Sequence, residues 1–319
     1  MFSSRAADHP GWWHVWAHPA ADVTGKDVFM NKKVGIVGVG AMGGAIARRL
    51  LSQGWEVTLW NLVPEDLDAF DSIEGASRAK TPAEAASVGR VITSVANDQA
   101  VRDVTTGPNG IAAGLPEGGT HISMSTVSPE VVTEMVAASG PTYFVSAPVF
   151  GRPVAAEDGK LWVALSGPEA GRAAAKDVLA DVSQLLKEFG DAPESAVHVK
   201  IAGNFVIASA IEAMSEAFDV LRRSGTDPRL FHEMMSDSIF ASVIHQNYGR
   251  IILDEAFDPP GFRLALGGKD IGLARDLAQH SGTSLPFGDI LAERFATAVE
   301  QGYGDKDWNA ISKFRDPVG

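Results

Sequence analysis

Two polar side chains stand in the opening turns of a largely apolar run in the second half of the chain, KIAGNFVIASAIEAMSEAF. They are Lys200 and Asn204, and their spacing puts both on one face of a helix, a turn apart. A lysine partly withdrawn from water has a lowered pKa and exchanges its proton readily. Such a group suits proton donation to a carbonyl oxygen as hydride reaches the carbon, and proton removal in reverse. Asn204 would hold that lysine, or a substrate hydroxyl, by hydrogen bonding. The spacing alone also fits a lysine that snorkels at a helix start beside an incidental asparagine.

A second set of residues belongs to phosphate chemistry. GVGAMG, from Gly38 through Ala41 and Met42 to Gly43, follows a β-branched run and opens a helical one. Gly38 allows the tight turn, Gly40 lets backbone approach a pyrophosphate, and Gly43 lets helix pack on strand. The helix N-terminus then offers free N–H groups to the anion. In this strand–turn–helix context the motif points to a dinucleotide. At the end of the next strand, in TLWNLVPED, an acid would hold the ribose 2′-hydroxyl of NAD. Asn61 stands there instead. It removes the charge that would repel a 2′-phosphate, although Leu62 supplies no cation, so the reading leans to NADP with NAD possible.

These residues need elements to position them. From Lys33 onward, short β-branched runs alternate with helical ones: KVGIVGV, AMGGAIARRLLSQG, EVTLWN, PEDLDAF, TPAEAASV, RVITSVA, DQAVRDVT, THISMST, PEVVTEMVAASG and TYFVSAPV. That alternation predicts crossover units and a doubly wound parallel sheet, an α/β Rossmann domain. LWVALSG and LLKEFGD, flanking a helical run, are expected to extend that sheet. After residue 194 the apolar spacing is helical throughout, with Gly225, Asp227-Pro228, Pro259-Pro260 and Gly282 as stops and caps. The expected organisation is an extension over 1–30, a dinucleotide-binding domain over 31–194 and an all-helical domain over 195–319. The extension carries Trp12, Trp13 and Trp16. It reads either as sequence upstream of a natural start at Met30 or as an arm that packs on this or a partner subunit.

Composition narrows the function. The net charge of −13, with lysine- or arginine-dense stretches only at short helix ends, argues against nucleic acid and anionic membranes as partners. The absence of cysteine excludes disulfides, thiol catalysis and thiolate metal sites. The histidines are scattered, with no HExxH or paired-carboxylate pattern, so no metal is expected. No apolar run is judged to reach the roughly 18 to 20 residues that span a bilayer. With no secretory signal at the start, a cytoplasmic protein is expected.

The blocks GIVGVGAMGGAIARRLL, SMSTVSPE, APVFGRPVAAEDGKLWVALSGP, KIAGNF and KDIGLARDLA resemble the β-hydroxyacid dehydrogenase family over roughly residues 32 to 312. That family includes 3-hydroxyisobutyrate dehydrogenase, tartronate semialdehyde reductase and glyoxylate/succinic semialdehyde reductase. The resemblance implies Lys200 as catalytic acid/base and Asn204 as its substrate-orienting neighbour. It implies that Ser125 and Thr126 face the substrate carboxylate and the nicotinamide. Val95, Ala96 and Asn97 should line the cofactor's ribose, and Lys269 should approach the cofactor from the helical domain. Pairing through that domain, as homodimer or homotetramer, is implied as well.

The sequence departs from the family at one turn. Where a Ser-Gly-Gly turn is common, this chain reads Phe150-Gly151-Arg152. Arg152, beside Gly151 in the expected substrate site, would either clamp a carboxylate with both guanidinium nitrogens or point to solvent. The expected activity is NAD(P)-dependent reduction of a small aldehyde or keto acid, reversible as hydroxyacid oxidation. Imine reductases resemble the same architecture but usually lack the lysine. A dinucleotide-binding sensor or scaffold that has lost turnover is the alternative of another class. A 6-phosphogluconate-type decarboxylase fits less well, because the helical half is short for one.

Overall fold

The computed structural model describes residues 32–314. The tryptophan-bearing extension lies outside them. Six parallel strands form the main sheet in the order β3-β2-β1-β4-β5-β6. They are β1 (Lys33–Val37), β2 (Glu56–Trp60), β3 (Ala76–Arg78), β4 (Arg90–Thr93), β5 (Thr120–Ser123) and β6 (Tyr143–Ser146). Their near-continuous apolar runs suit a sheet covered on both faces. Val34, Ile36, Val37, Val57, Leu59, Val91, Ile92, Ile122 and Val145 are all fully buried. The covering helices include α1 (Ala41–Ser52), α2 (Pro82–Ala86), α3 (Asp98–Thr105), α4 (Ile111–Gly114) and α5 (Pro129–Ala138). Thr81, Asn97 and Ser128 cap α2, α3 and α5 with side-chain oxygens. The strand order reverses between β1 and β4, so a crevice opens beyond their carboxyl ends.

One expectation fails here. The later strands do not extend the parallel sheet but form a second one, β7 (Val149–Phe150), β8 (Leu161–Leu165) and β9 (Ser183–Glu188), with β7 antiparallel to β8. TYFVSAPV reads as one strand, yet Pro148 has no N–H to donate and divides it. A single bridge between Ser146 and Ser166 joins the two sheets. Around this smaller sheet run α6 (Pro153–Glu157) and α7 (Glu169–Ala180).

The remaining helices are α8 (Glu194–Arg223), α9 (Pro228–Ser236), α10 (Val243–Asp254), α11 (Leu264–His280) and α12 (Pro286–Ala298). The stops act as expected: Gly225 and Gly282 take positive φ just past α8 and α11, and Asp227 caps α9. Helix α8 serves two cores. Its start, through Val197 and Ile201, packs with Val131, Val132 and Phe144 of the sheet half. Its later part, through Ala208, Ile211, Met214 and Phe218, packs with Ile271, Leu291, Phe295 and Trp308. It also corrects the expectation about apolar runs. An 18-residue window of α8 has mean hydropathy 1.3, long and apolar enough by length and composition to cross a membrane. Counting uninterrupted apolar residues misses this, because Asn204 and Glu212 break the run while the average stays high. Both of those polar residues are buried.

Candidate active site

The glycine loop leaves β1 at the strand-order reversal. Gly38 has φ 95°, and a Cβ there would lie 2.5 Å from Ser94 O. At Gly43 a Cβ would come within 1.9 Å of Gly38 O, so α1 can approach the loop only without one. Gly40 differs: nothing lies within 4 Å of its would-be Cβ, and no side chain caps α1 there. Open space over uncapped helical N–H groups is a cradle that fits a pyrophosphate. Ala41 and Met42 continue the first turn of α1. Asn61 closes the far side. Its Oδ1 accepts the Val39 N–H at 2.9 Å, and its Nδ2 donates to Val63 O and to Asp66 Oδ2. Leu62 is 81% exposed and offers no cation.

Across the crevice, the loops after β4 and β5 are tied together. Ser125 is buried, and its Oγ accepts the Val95 N–H at 2.9 Å. Lys269 of α11 donates to Thr126 O at 2.6 Å and to Ala96 O at 3.2 Å. Asn97 uses its Oδ1 to cap α3 through the Ala100 N–H. Ser125, Thr126, Val95, Ala96 and Lys269 thus converge on one place.

Lys200 is half-buried on the first part of α8 and donates to Asn204 Oδ1 at 2.8 Å. Asn204 Nδ2 in turn donates to Asp270, which is 1% exposed. The helical spacing therefore creates a relay of contacts from ammonium through amide to a buried carboxylate. Lys200 Nζ also lies 4.4 Å from the centre of the Phe150 ring. Burial pushes the Lys200 pKa down to about 8, against the attraction of Asp270 and with the repulsion of Lys269. An amine of that pKa gives and takes protons near neutral pH.

Arg152 does not point freely into solvent. Its guanidinium pairs with Asp307, which is fully buried, and lies over the Tyr248 ring at 5.8 Å. Asp307 also accepts N–H groups from Gly261 and Asn309. A Cβ at Gly261 would collide with the guanidinium, so that glycine gives Arg152 its passage. Gly151 precedes it with φ 136°.

Comparison with known proteins places this arrangement. Residues 33–197 match the NAD binding domain of 6-phosphogluconate dehydrogenase, and 195–314 match the NAD-binding region of NADP-dependent 3-hydroxyisobutyrate dehydrogenase. The chain belongs to the β-hydroxyacid dehydrogenase family. It is thus a dehydrogenase of the hydroxyacid type, dependent on NADP or NAD. The dehydrogenase is 38% identical over 284 residues to the uncharacterized oxidoreductase YfjR of Bacillus subtilis, covering 88% of this chain and 99% of that one. It is 32% identical to the L-threonate dehydrogenase of Cupriavidus necator, covering 89% and 96%. The solved 3-hydroxyisobutyrate dehydrogenase of Salmonella typhimurium superposes with a TM-score of 0.78 at 28% identity, covering 89% and 99%.

The sequence reading missed Asp270, Phe150 and Asp307 as parts of the site. Asp270 follows Lys269 in KDIGLARDLA, the block similar to the family's lysine-aspartate signature, which pointed to the aspartate without giving it a role. Phe150 stood out only as a bulky departure in a glycine-rich turn. Asp307 carried no signal.

Proposed function

We propose that the protein is an NADP-preferring reductase of small aldehyde or keto acids, working reversibly as a 3-hydroxyacid dehydrogenase. Lys200 is the proton donor in reduction and the acceptor in oxidation. The observation that carries this reading is the lowered pKa of Lys200 beside Asn204 and Asp270. The dinucleotide supplies hydride chemistry at the nicotinamide. The protein's part is to hold, orient and move a proton. Gly38, Gly40, Ala41, Met42 and Gly43 cradle the pyrophosphate, and Asn61 borders the adenosine ribose. Val95, Ala96, Asn97 and Lys269 shape the rest of the dinucleotide site. Ser125, Thr126 and Gly151 face the substrate, with Asn204 aligning Lys200. In this reading Arg152 supports the substrate loop from its pair with Asp307 rather than clamping a carboxylate.

The dinucleotide-binding half ends and the helical half begins near residue 195, at the start of α8. The active form is a homodimer or homotetramer joined through the helical half, and it works in the cytoplasm. The test is oxidation of NADPH and NADH with glyoxylate, succinic semialdehyde, methylmalonate semialdehyde, tartronate semialdehyde and one cyclic imine, in wild type and Lys200→Ala. Semialdehyde turnover with NADPH that falls roughly 10²- to 10⁴-fold in the variant supports the reading. Turnover of the imine alone would put imine reduction in its place. Dinucleotide binding with no turnover of any substrate would put a sensor or scaffold there.

A further inference from the structure

Phe150 ends β7, where pairing opposite Trp162 of β8 sets its backbone. At the next residue, Gly151, φ is 136°, and a Cβ would lie 2.7 Å from Leu161 Cδ2. The chain therefore turns sharply after the ring and runs into Arg152, which Asp307 holds. The ring itself lands on α8. A Cβ at Gly203 would approach Phe150 Cε1 and Cζ to 2.4 Å, so the ring lies directly on helix backbone. From that seat its face carries Lys200 Nζ at 4.4 Å, while the same ammonium donates to Asn204 at 2.8 Å. Three restraints thus converge on one aromatic ring: the β7–β8 pairing, the Gly203 seat and the Arg152–Asp307 anchor.

We propose that Phe150 is a positioning residue for Lys200, its ring seated on Gly203 so that it holds the ammonium toward Asn204 and keeps water from one side of it. The inference rests on Lys200 being the proton donor. The ring acts in two opposed ways. Its electron-rich face attracts the cation and favours the protonated amine. Its bulk excludes water and disfavours the charge. The charged groups that act on Lys200 from packed elements are Asp270 and Lys269, both on α11. Substitution at Phe150 leaves both in place.

The opposed effects are separable by size and chemistry. Phe150→Leu keeps water out but loses the aromatic face. Phe150→Ala admits water, and Phe150→Tyr keeps both properties. The experiment is the pH profile of kcat/KM for carbonyl reduction in these variants, wild type and Lys200→Ala. In Phe150→Leu the alkaline limb should fall by about half a unit to one unit. In Phe150→Ala it should rise toward the ordinary lysine value, and in Phe150→Tyr it should stay with wild type. An unchanged limb in Phe150→Leu and Phe150→Ala, with turnover lost in Lys200→Ala, overturns the inference and leaves the proton donor standing. Full turnover in Lys200→Ala overturns both. Phe150→Leu, close to phenylalanine in volume, keeps the test decisive if Phe150→Ala does not fold.

Discussion

Lys200 holds an amine in a place that disfavours its charge, and two measurable effects follow. Below pH 8 the amine carries the proton that reduction needs, so the rate of reduction should fall as pH rises through about 8. Hydroxyacid oxidation needs the free amine and should rise over the same interval. The second effect concerns stability. The folded-state pKa lies below the unfolded one, so between the two the unfolded chain binds more protons, and this group's contribution to stability grows with pH. Lys200→Met should therefore raise the melting temperature at pH 7, by a margin that shrinks toward pH 10; a fall at pH 7 would contradict the burial argument. The Lys200–Asn204 pair was legible in the sequence because helical spacing is a local property. Its partner Asp270 lies on another helix, and only the fold brings it to Asn204.

At the scale of elements, the glycine loop separates two roles that the sequence shows as one motif. Gly40→Val should change stability by no more than about 1 kcal/mol, since its side chain enters open space at the N-cap of α1, yet weaken dinucleotide binding. Gly43→Ala forces a Cβ against Gly38 O and should unsettle the fold itself. Thermal melts with and without NADP(H) distinguish the two. Strand β5 adds a pH effect. His121 is fully buried beside Thr93, and burial pushes its pKa down to about 3. The unfolded chain takes up a proton near pH 6.5 that the folded one refuses. Stability from this residue is complete above pH 6.5 and is lost as pH falls toward 3, by up to about 1.4 kcal/mol per unit. Denaturant titrations of His121→Gln should lack that slope. The doubly wound sheet was legible because its apolar runs recur with helices between them. The second sheet was not, because one proline decides where a continuous apolar run divides. Strand β3, Ala-Ser-Arg, is too short and too polar to register as a period.

Across the whole molecule, two polar side chains reach between the sheet half and the helical half near Lys200, besides the Phe150 ring that sits on α8. Lys269 reaches the loops after β4 and β5, and Arg152 reaches Asp307. Arg152→Met leaves a fully buried carboxylate without its cation and should cost about 3 kcal/mol of stability in denaturant titrations. A loss of substrate affinity at unchanged stability would instead mark Arg152 as a carboxylate clamp. Neither contact has a local sequence signal, since each joins residues more than a hundred positions apart. What the sequence does carry at this scale is the change from alternating strands and helices to helices alone, and α8 begins at that change. The central claim is that Lys200 moves the proton, and its most direct test is the pH dependence of kcat/KM for semialdehyde reduction with NADPH, in wild type and Lys200→Ala. The expected result is a limb near pH 8 in the wild type, with the limb gone and the rate roughly 10²- to 10⁴-fold lower in the variant. A variant that keeps its rate, or that keeps the same limb, would contradict it.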